Sequence, residues 1–191
     1  MSVVGLIVCA PLLLLLALAI KLDSPGPAIF RQQRVGQGGR LFTFYKFRTM
    51  LVDAAERYPE LYAYEYSDDE VQCMYFKVLH DPRLTRFGRY LRRTSLDELP
   101  NLFSVLTGDI TLVGPRPELP EMLRYYSVEQ LAKFSVKPGV TGLAQVTGRG
   151  VLRFQETIAA DLEYCRRRSF WFDMMILGRT VKVVALRAGA F

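Results

Sequence analysis

A chain of 191 residues is long enough for one domain with a real hydrophobic core and too short for two of ordinary size. Half of its residues are hydrophobic and its formal net charge is +6, a basic excess that suits a polyanionic partner such as a nucleic acid, an anionic membrane surface or a phosphorylated substrate. One histidine and three scattered cysteines, Cys9, Cys73 and Cys165, exclude a histidine metal cluster, a histidine-based triad and a disulfide framework. Catalysis therefore rests on carboxylates, arginines, lysines or hydroxyls. Arginine outnumbers lysine 19 to 6. Its planar fork matches phosphate oxygens, although a GC-rich genome produces the same bias.

The first element is apolar. Val3 to Ile20 carries no charge, which is close to the minimum for a spanning helix. Three readings fit: a signal peptide with Ala17-Leu18-Ala19 at its cleavage site, a spanning helix, or a re-entrant helix that turns back within one leaflet. Pro11 sits mid-run, removes a backbone donor and favours a bend there. The residues alone rank a spanning helix ahead of a re-entrant one. Lys21 and the sequence Asp23-Ser24-Pro25-Gly26-Pro27 mark the exit to water.

Two runs, 28–34 and 39–49, flank a glycine-rich link and predict a β-hairpin. Lys46 and Arg48 lie two apart on the second run and are expected to share a face. Residues 51–80 read as helical, then acidic, then strand-like. Arg83, Arg86, Arg89, Arg92 and Arg93 follow at helical steps, a crowded cationic face that suits phosphate. Asp97 and Glu98 come directly after them. Ser95 and Glu98 have the spacing of a capping box, so the pair is expected to open a helix. A helix N-terminus preceded by arginines is also an anion site, and two adjacent carboxylates suit Mg²⁺ or nucleophilic attack on phosphorus. Gly114-Pro115-Arg116-Pro117 restrains an arginine between prolines. Residues 137–150 are punctuated by glycine. Helical patterns return from Leu152, and residues 169–186 read as a core helix or an interfacial amphipathic one.

The blocks IKLDSPGPAIFRQQRVGQGGRLFTFYKFRTM, DPRLTRFGRYLRRTSLDELPNLFSVLTGDITLVGPRPELP, KPGVTGLAQVTGRG and SFWFDMMILGRTVKVV resemble, in the same order, the bacterial sugar transferases, the monotopic polyprenyl-phosphate phosphoglycosyl transferases. The resemblance covers nearly the whole chain. It implies an α/β fold, mostly helical with a small β-hairpin or sheet. Residues 1–22 become a re-entrant membrane helix broken near Pro11, in place of the spanning helix, and residues 23–191 a catalytic domain with interfacial helices. It implies transfer of a sugar 1-phosphate from a UDP-sugar to undecaprenyl phosphate, with loss of UMP, dependence on Mg²⁺ and a phosphosugar-aspartyl intermediate. Asp97 matches the nucleophile. Glu98 matches its partner at the metal. Lys46, Arg48, Arg92, Arg116, Arg149 and Asp161 fall at or beside anion-binding and further acidic positions. The implied setting is the cytoplasmic face of a bacterial inner membrane, with anionic lipid and no nucleic acid as partner; sugar identity and oligomeric state stay open. The chain departs from the family pattern at Ala10, where serine is usual, and at Gly150, where asparagine is usual. It also begins without the basic segment that commonly precedes the apolar run. The long loop at 57–80 resembles that of larger, multi-domain members. The alternative from a different class is a membrane-tethered, arginine-rich binding protein in which Asp97 and Glu98 only cap a helix.

Overall fold

The computed structural model describes residues 2–75, 78, 80–148 and 151–186, with side chains from Ala10 onward. Helix α1 (Ser2–Asp23) runs through Pro11, where a break was expected. Among the described residues no helix is long and apolar enough to cross a membrane. The C-terminal half of α1 is two-sided. Leu16 and Ile20 are buried, whereas Leu14, Leu15, Leu18 and Leu22 are exposed.

The predicted hairpin forms. Strands β1 (Ile29–Val35) and β2 (Leu41–Phe47) pair antiparallel, with Phe30 opposite Lys46 and Arg34 opposite Phe42. Gly38 and Gly39 take φ of 66° and 79° in the connecting turn, conformations that glycine adopts without steric cost. Directly paired residues share a face of the sheet. Arg34, Phe42, Phe44 and Lys46 therefore lie together, and the Arg34 and Lys46 cations sit 5.7 and 5.2 Å from the Phe44 ring centre.

The stretch 51–66 read as helical holds only a short helix, α2 (Ala54–Arg57), and a 3-10 turn at Pro59–Tyr62, and the acidic stretch after it starts a second short helix, α3 (Asp68–Cys73). The expected strand beyond α3 is represented by an isolated bridge from Tyr75 to Arg153, and the rest of that strand falls partly outside the described residues. The arginine run forms α4 (Arg86–Thr94), capped by Thr85, whose hydroxyl accepts the Gly88 N–H at 2.9 Å. Asp23 Oδ2, at the end of α1, accepts the Phe87 N–H of α4 at 3.1 Å. One apolar cluster unites α1 with α4 and the hairpin base through Leu16, Ile20, Ala28, Phe47 and Leu91.

Helix α5 (Leu102–Leu106) leads to β3 (Thr111–Val113). Strand β4 (Gly139–Thr141) pairs with β3 in parallel, after a connection built largely of 3-10 turns. A Cβ on Gly139 would lie 2.1 Å from the Gly114 nitrogen, so glycine is what permits this crossing. Helices α6 (Leu143–Thr147), α7 (Phe154–Arg167) and α8 (Phe170–Ala185) complete the chain. Phe172 and Ile176 of α8 pack with Val113, Leu143 and Tyr164. The architecture is mostly helical with two small sheets, as an α/β reading anticipates.

Candidate active site

Asp97 and Glu98 are set by the way α4 stops. Ser95 adopts the left-handed conformation (φ 57°, ψ 17°) and its N–H returns to the carbonyls of Arg92 and Leu91. A 3-10 turn, Leu96–Asn101, follows at once. With three residues per turn, Leu96 and Leu99 fall on one side, where they pack against the α1 cluster. Asp97 and Glu98 are left on the other sides. Pro100 has no N–H to continue an α-helical ladder, which suits the tighter turn. The capping-box expectation at Ser95 is therefore corrected: Ser95 closes α4 and makes no side-chain cap bond to the next turn. The reciprocal box occurs instead at Ser67 and Glu70 of α3. Of the arginines, Arg83 precedes α4 and pairs with Asp81, Arg86 opens α4, and Arg89, Arg92 and Arg93 lie in its body and last turn; none sits at a helix N-terminus that faces the pair. Capping does not account for two acids at this point.

Cations from four segments converge on them. Lys46 of β2 donates from Nζ to Glu98 Oε1 at 2.7 Å. Arg116, between its prolines, brings Nη1 to 3.6 Å from the same oxygen. Arg92, in the last turn of α4, donates from Nε to Thr49 Oγ1 at 3.2 Å and lies 3.7 Å from Asp81. Arg34 of β1 donates to the Pro117 carbonyl at 3.2 Å and to Gln32 at 2.8 Å.

The two carboxylates respond in opposite directions. Asp97 is 7% exposed. Burial pushes its carboxyl above the usual range and Glu98 adds to that, while Lys46, Arg92 and Arg116 pull against it. Burial acts on Glu98 in the same sense, but Lys46 and Arg116 outweigh it and hold Glu98 down at about 2. Burial lowers the Lys46 ammonium and Glu98 opposes that. Among the described residues Glu98 is ion-paired and Asp97 is within 4.0 Å of no cationic side chain. Neighbouring carboxyls with diverging affinities for protons are a recurrent way of giving two acids different tasks.

The remaining expected residues lie elsewhere. Arg48 is corrected from anion binder to clamp. It is buried just beyond β2 and donates to the carbonyls of Pro25 and Ser24, each at 2.6 Å, tying the end of α1 to the hairpin. It therefore turns away from Lys46, because the strand ends between them. Asp161 of α7 is fully buried and paired with Lys133 at 3.0 Å. Arg149 lies outside the described residues. Arg34, Lys133 and Glu118 were not anticipated. Arg34 was legible in principle, since the hairpin register places it on the Lys46 face. Lys133 and Glu118 carry no local signal.

Among the described residues no group of three or more His, Cys, Asp or Glu side chains is arranged to hold a metal. Mg²⁺, however, commonly takes one or two carboxylates and completes its shell with phosphate oxygens and water. Asp97 and Glu98 fit that donor set, because the contacts made by Glu98 fall on Oε1 and Asp97 is buried, with no cation paired to it among the described residues.

The model of the family described as bacterial sugar transferase matches residues 1–187. The chain is 41% identical over 190 residues to a protein named galactosyl transferase CpsE from Streptococcus agalactiae, covering 99% of this chain and 41% of that one. It is 42% identical over 193 residues to an undecaprenyl-phosphate galactose phosphotransferase from Salmonella typhimurium, covering 100% and 40%. It is 47% identical over 180 residues to a UDP-glucose:undecaprenyl-phosphate glucose-1-phosphate transferase from Caulobacter vibrioides, covering 90% and 62%. The chain thus spans roughly two fifths to three fifths of the length of these relatives.

Proposed function

This chain belongs to the bacterial sugar transferase family, and from that premise we propose that it transfers a sugar 1-phosphate from a UDP-sugar to undecaprenyl phosphate. Asp97 is the nucleophile. Its carboxylate oxygen forms a bond to the sugar-linked phosphorus, the bond from that phosphorus to the UMP oxygen breaks, and UMP leaves. An oxygen of undecaprenyl phosphate then attacks the same phosphorus, and the Asp97 carboxylate departs. The observation that carries this reading is the division of labour in the pair: Lys46 holds Glu98 at 2.7 Å while Asp97 is buried with no cation paired to it among the described residues. A carboxylate committed to a salt bridge is a poor nucleophile; one kept desolvated beside cations is a better one.

Lys46, Arg92, Arg116 and Arg34 provide positive charge where a diphosphate and an attacking anion must meet, which electrostatic stabilisation of phosphoryl transfer requires. Asp97 and Glu98 would also hold Mg²⁺. When bound, that ion supplies charge neutralisation at the diphosphate oxygens.

We place the reaction at the cytoplasmic face of a bacterial inner membrane. Residues 1–22 seat the chain in one leaflet as a re-entrant segment, although α1 runs through Pro11 without a break, and residues 23–191 form the catalytic domain. The exposed leucines of α1 and the outward arginines of α4 support this seating, since apolar side chains and a cationic surface together favour anionic lipid.

The deciding experiment uses purified protein in nanodiscs with undecaprenyl phosphate, Mg²⁺ and a panel of UDP-sugars, followed by UMP release. Wild type should release UMP with at least one donor. Asp97→Asn should lose activity on the order of 10³-fold or more while its thermal melt is retained. Equal rates in the two proteins would remove Asp97 from the chemistry, and no UMP from any donor would leave the binding-protein alternative.

A further inference from the structure

A buried ionic network lies in the core, with Glu118 two residues from Arg116. Lys133 is 1% exposed, Asp161 0% and Glu118 5%. Lys133 Nζ lies 3.0 Å from Asp161 and 3.6 Å from Glu118, and donates to Tyr126 Oη at 3.1 Å. Tyr126 Oη in turn donates to Glu118 at 2.6 Å. Ions this deep are costly to bury and are weak devices for stability alone.

Their second ends explain the placement. The Glu118 carbonyl accepts the Val35 N–H at 2.9 Å, and the Glu118 carboxylate accepts the Leu119 N–H at 3.0 Å. Around them, Gly114 N–H donates to the Thr141 carbonyl at 2.9 Å, and the Pro115 carbonyl accepts the Gly139 N–H at 2.9 Å. The Pro117 carbonyl accepts Arg34. The backbone on both sides of Arg116 is thus tied down, to β4 through Gly114 and Pro115 and to β1 through Pro117 and Glu118.

We propose that Lys133 is a positioning residue: by holding Asp161 and Glu118 together it locks segment 114–118 and so aims Arg116 at the acid pair. Lys133 neutralises two carboxylates that would otherwise repel each other. Without it the carboxylates separate, the loop slackens, and Arg116 loses its approach to Glu98. A misplacement of about 1 Å costs on the order of 10²-fold in a preorganised site.

The kinetic arm rests on the transferase reading; the exchange arm does not. Lys133→Met is compared with wild type alone and in an Arg116→Lys background, with kcat and donor KM measured per folded protein. Amide exchange of 114–119 is followed against α4. Lys133→Met should lower kcat tenfold or more, change KM less, and speed exchange in 114–119 while α4 is unaltered. In the Arg116→Lys background the loss should shrink below threefold, because the two residues act as one unit. If Lys133→Met does not fold, Asp161→Asn takes its place with the same expectations. Unchanged kcat, a full loss that persists in the Arg116→Lys background, or unaltered exchange in 114–119 would each overturn the proposal. If wild type releases no UMP from any donor, the transferase reading fails, and the exchange comparison alone decides whether Lys133 locks the loop.

Discussion

Asp97 and Glu98 are adjacent in the chain yet differ in every physical respect that matters. Glu98 is a fixed anion because its environment favours the charge, and Asp97 is a strained one because its environment does not. The pH dependence follows by sign. A carboxyl held down at about 2, against an ordinary 4.5, contributes stability above its ordinary value. That contribution is lost as pH falls from about 4.5 towards 2. Asp97, whose affinity for protons is raised, acts in the opposite sense and favours the fold while protonated. Glu98→Gln should therefore melt below wild type at pH 7, and the gap should close as pH falls through that window. Thermal melts at pH 7, 5, 4 and 3 check this; a gap that stays constant with pH would mean that the Lys46 pair is not what Glu98 contributes.

At the scale of the element, α4 has two faces with separate duties. Its inner face carries Gly88 and Leu91 against the core, and a Cβ on Gly88 would lie 2.0 Å from the Thr49 carbonyl oxygen. That contact is backbone, so it cannot rotate away. Gly88→Ala should destabilise by about 2–3 kcal/mol, read as a fall in denaturation midpoint with an unchanged slope. The outer face lines a surface cavity of about 350 Å³ with Arg86, Arg89, Tyr90, Arg93 and Thr94. The double substitution Arg86→Glu with Arg89→Glu should weaken sedimentation with vesicles rich in anionic lipid. Neutral vesicles should show little difference, and high salt should erase the contrast. A loss that is the same on both vesicle types would assign the arginines to folding instead.

At the scale of the whole molecule, apolar side chains reach the surface on α1, on α5 through Phe103 and Leu106, and on α8 through Phe170, Trp171 and Val181, with Leu186 just beyond it. Trp171 is 78% exposed and is the single tryptophan of the sequence, so its emission reports on α8 without ambiguity. If the outer face of α8 rests in the interfacial layer of a bilayer, as the transferase reading implies, emission should shift to the blue when vesicles are added. Emission that remains that of a hydrated indole would take α8 away from the lipid.

What the sequence determined by itself is whatever depends on near neighbours. The hairpin was legible because glycines and alternating aromatics act within a few residues. So was the arginine helix, from steps of three and four, and so was the acid pair, from its setting between those arginines and a proline. Tertiary structure decided what those residues do. Ser95 has the spacing of a cap, but the packing of Leu96 and Leu99 against α1 turns the chain there and makes it a stop. Arg48 was grouped with Lys46 by a count of two, but the strand ends at Phe47 and leaves Arg48 to clamp the end of α1. Lys133, far from the pair in sequence, finds Asp161 and Glu118 only because β3 and β4 pair in parallel and carry their flanking segments together. A local pattern fixes the direction of the backbone over a few residues. Which charges meet is settled by contacts between distant segments, and those exist only once the core has closed.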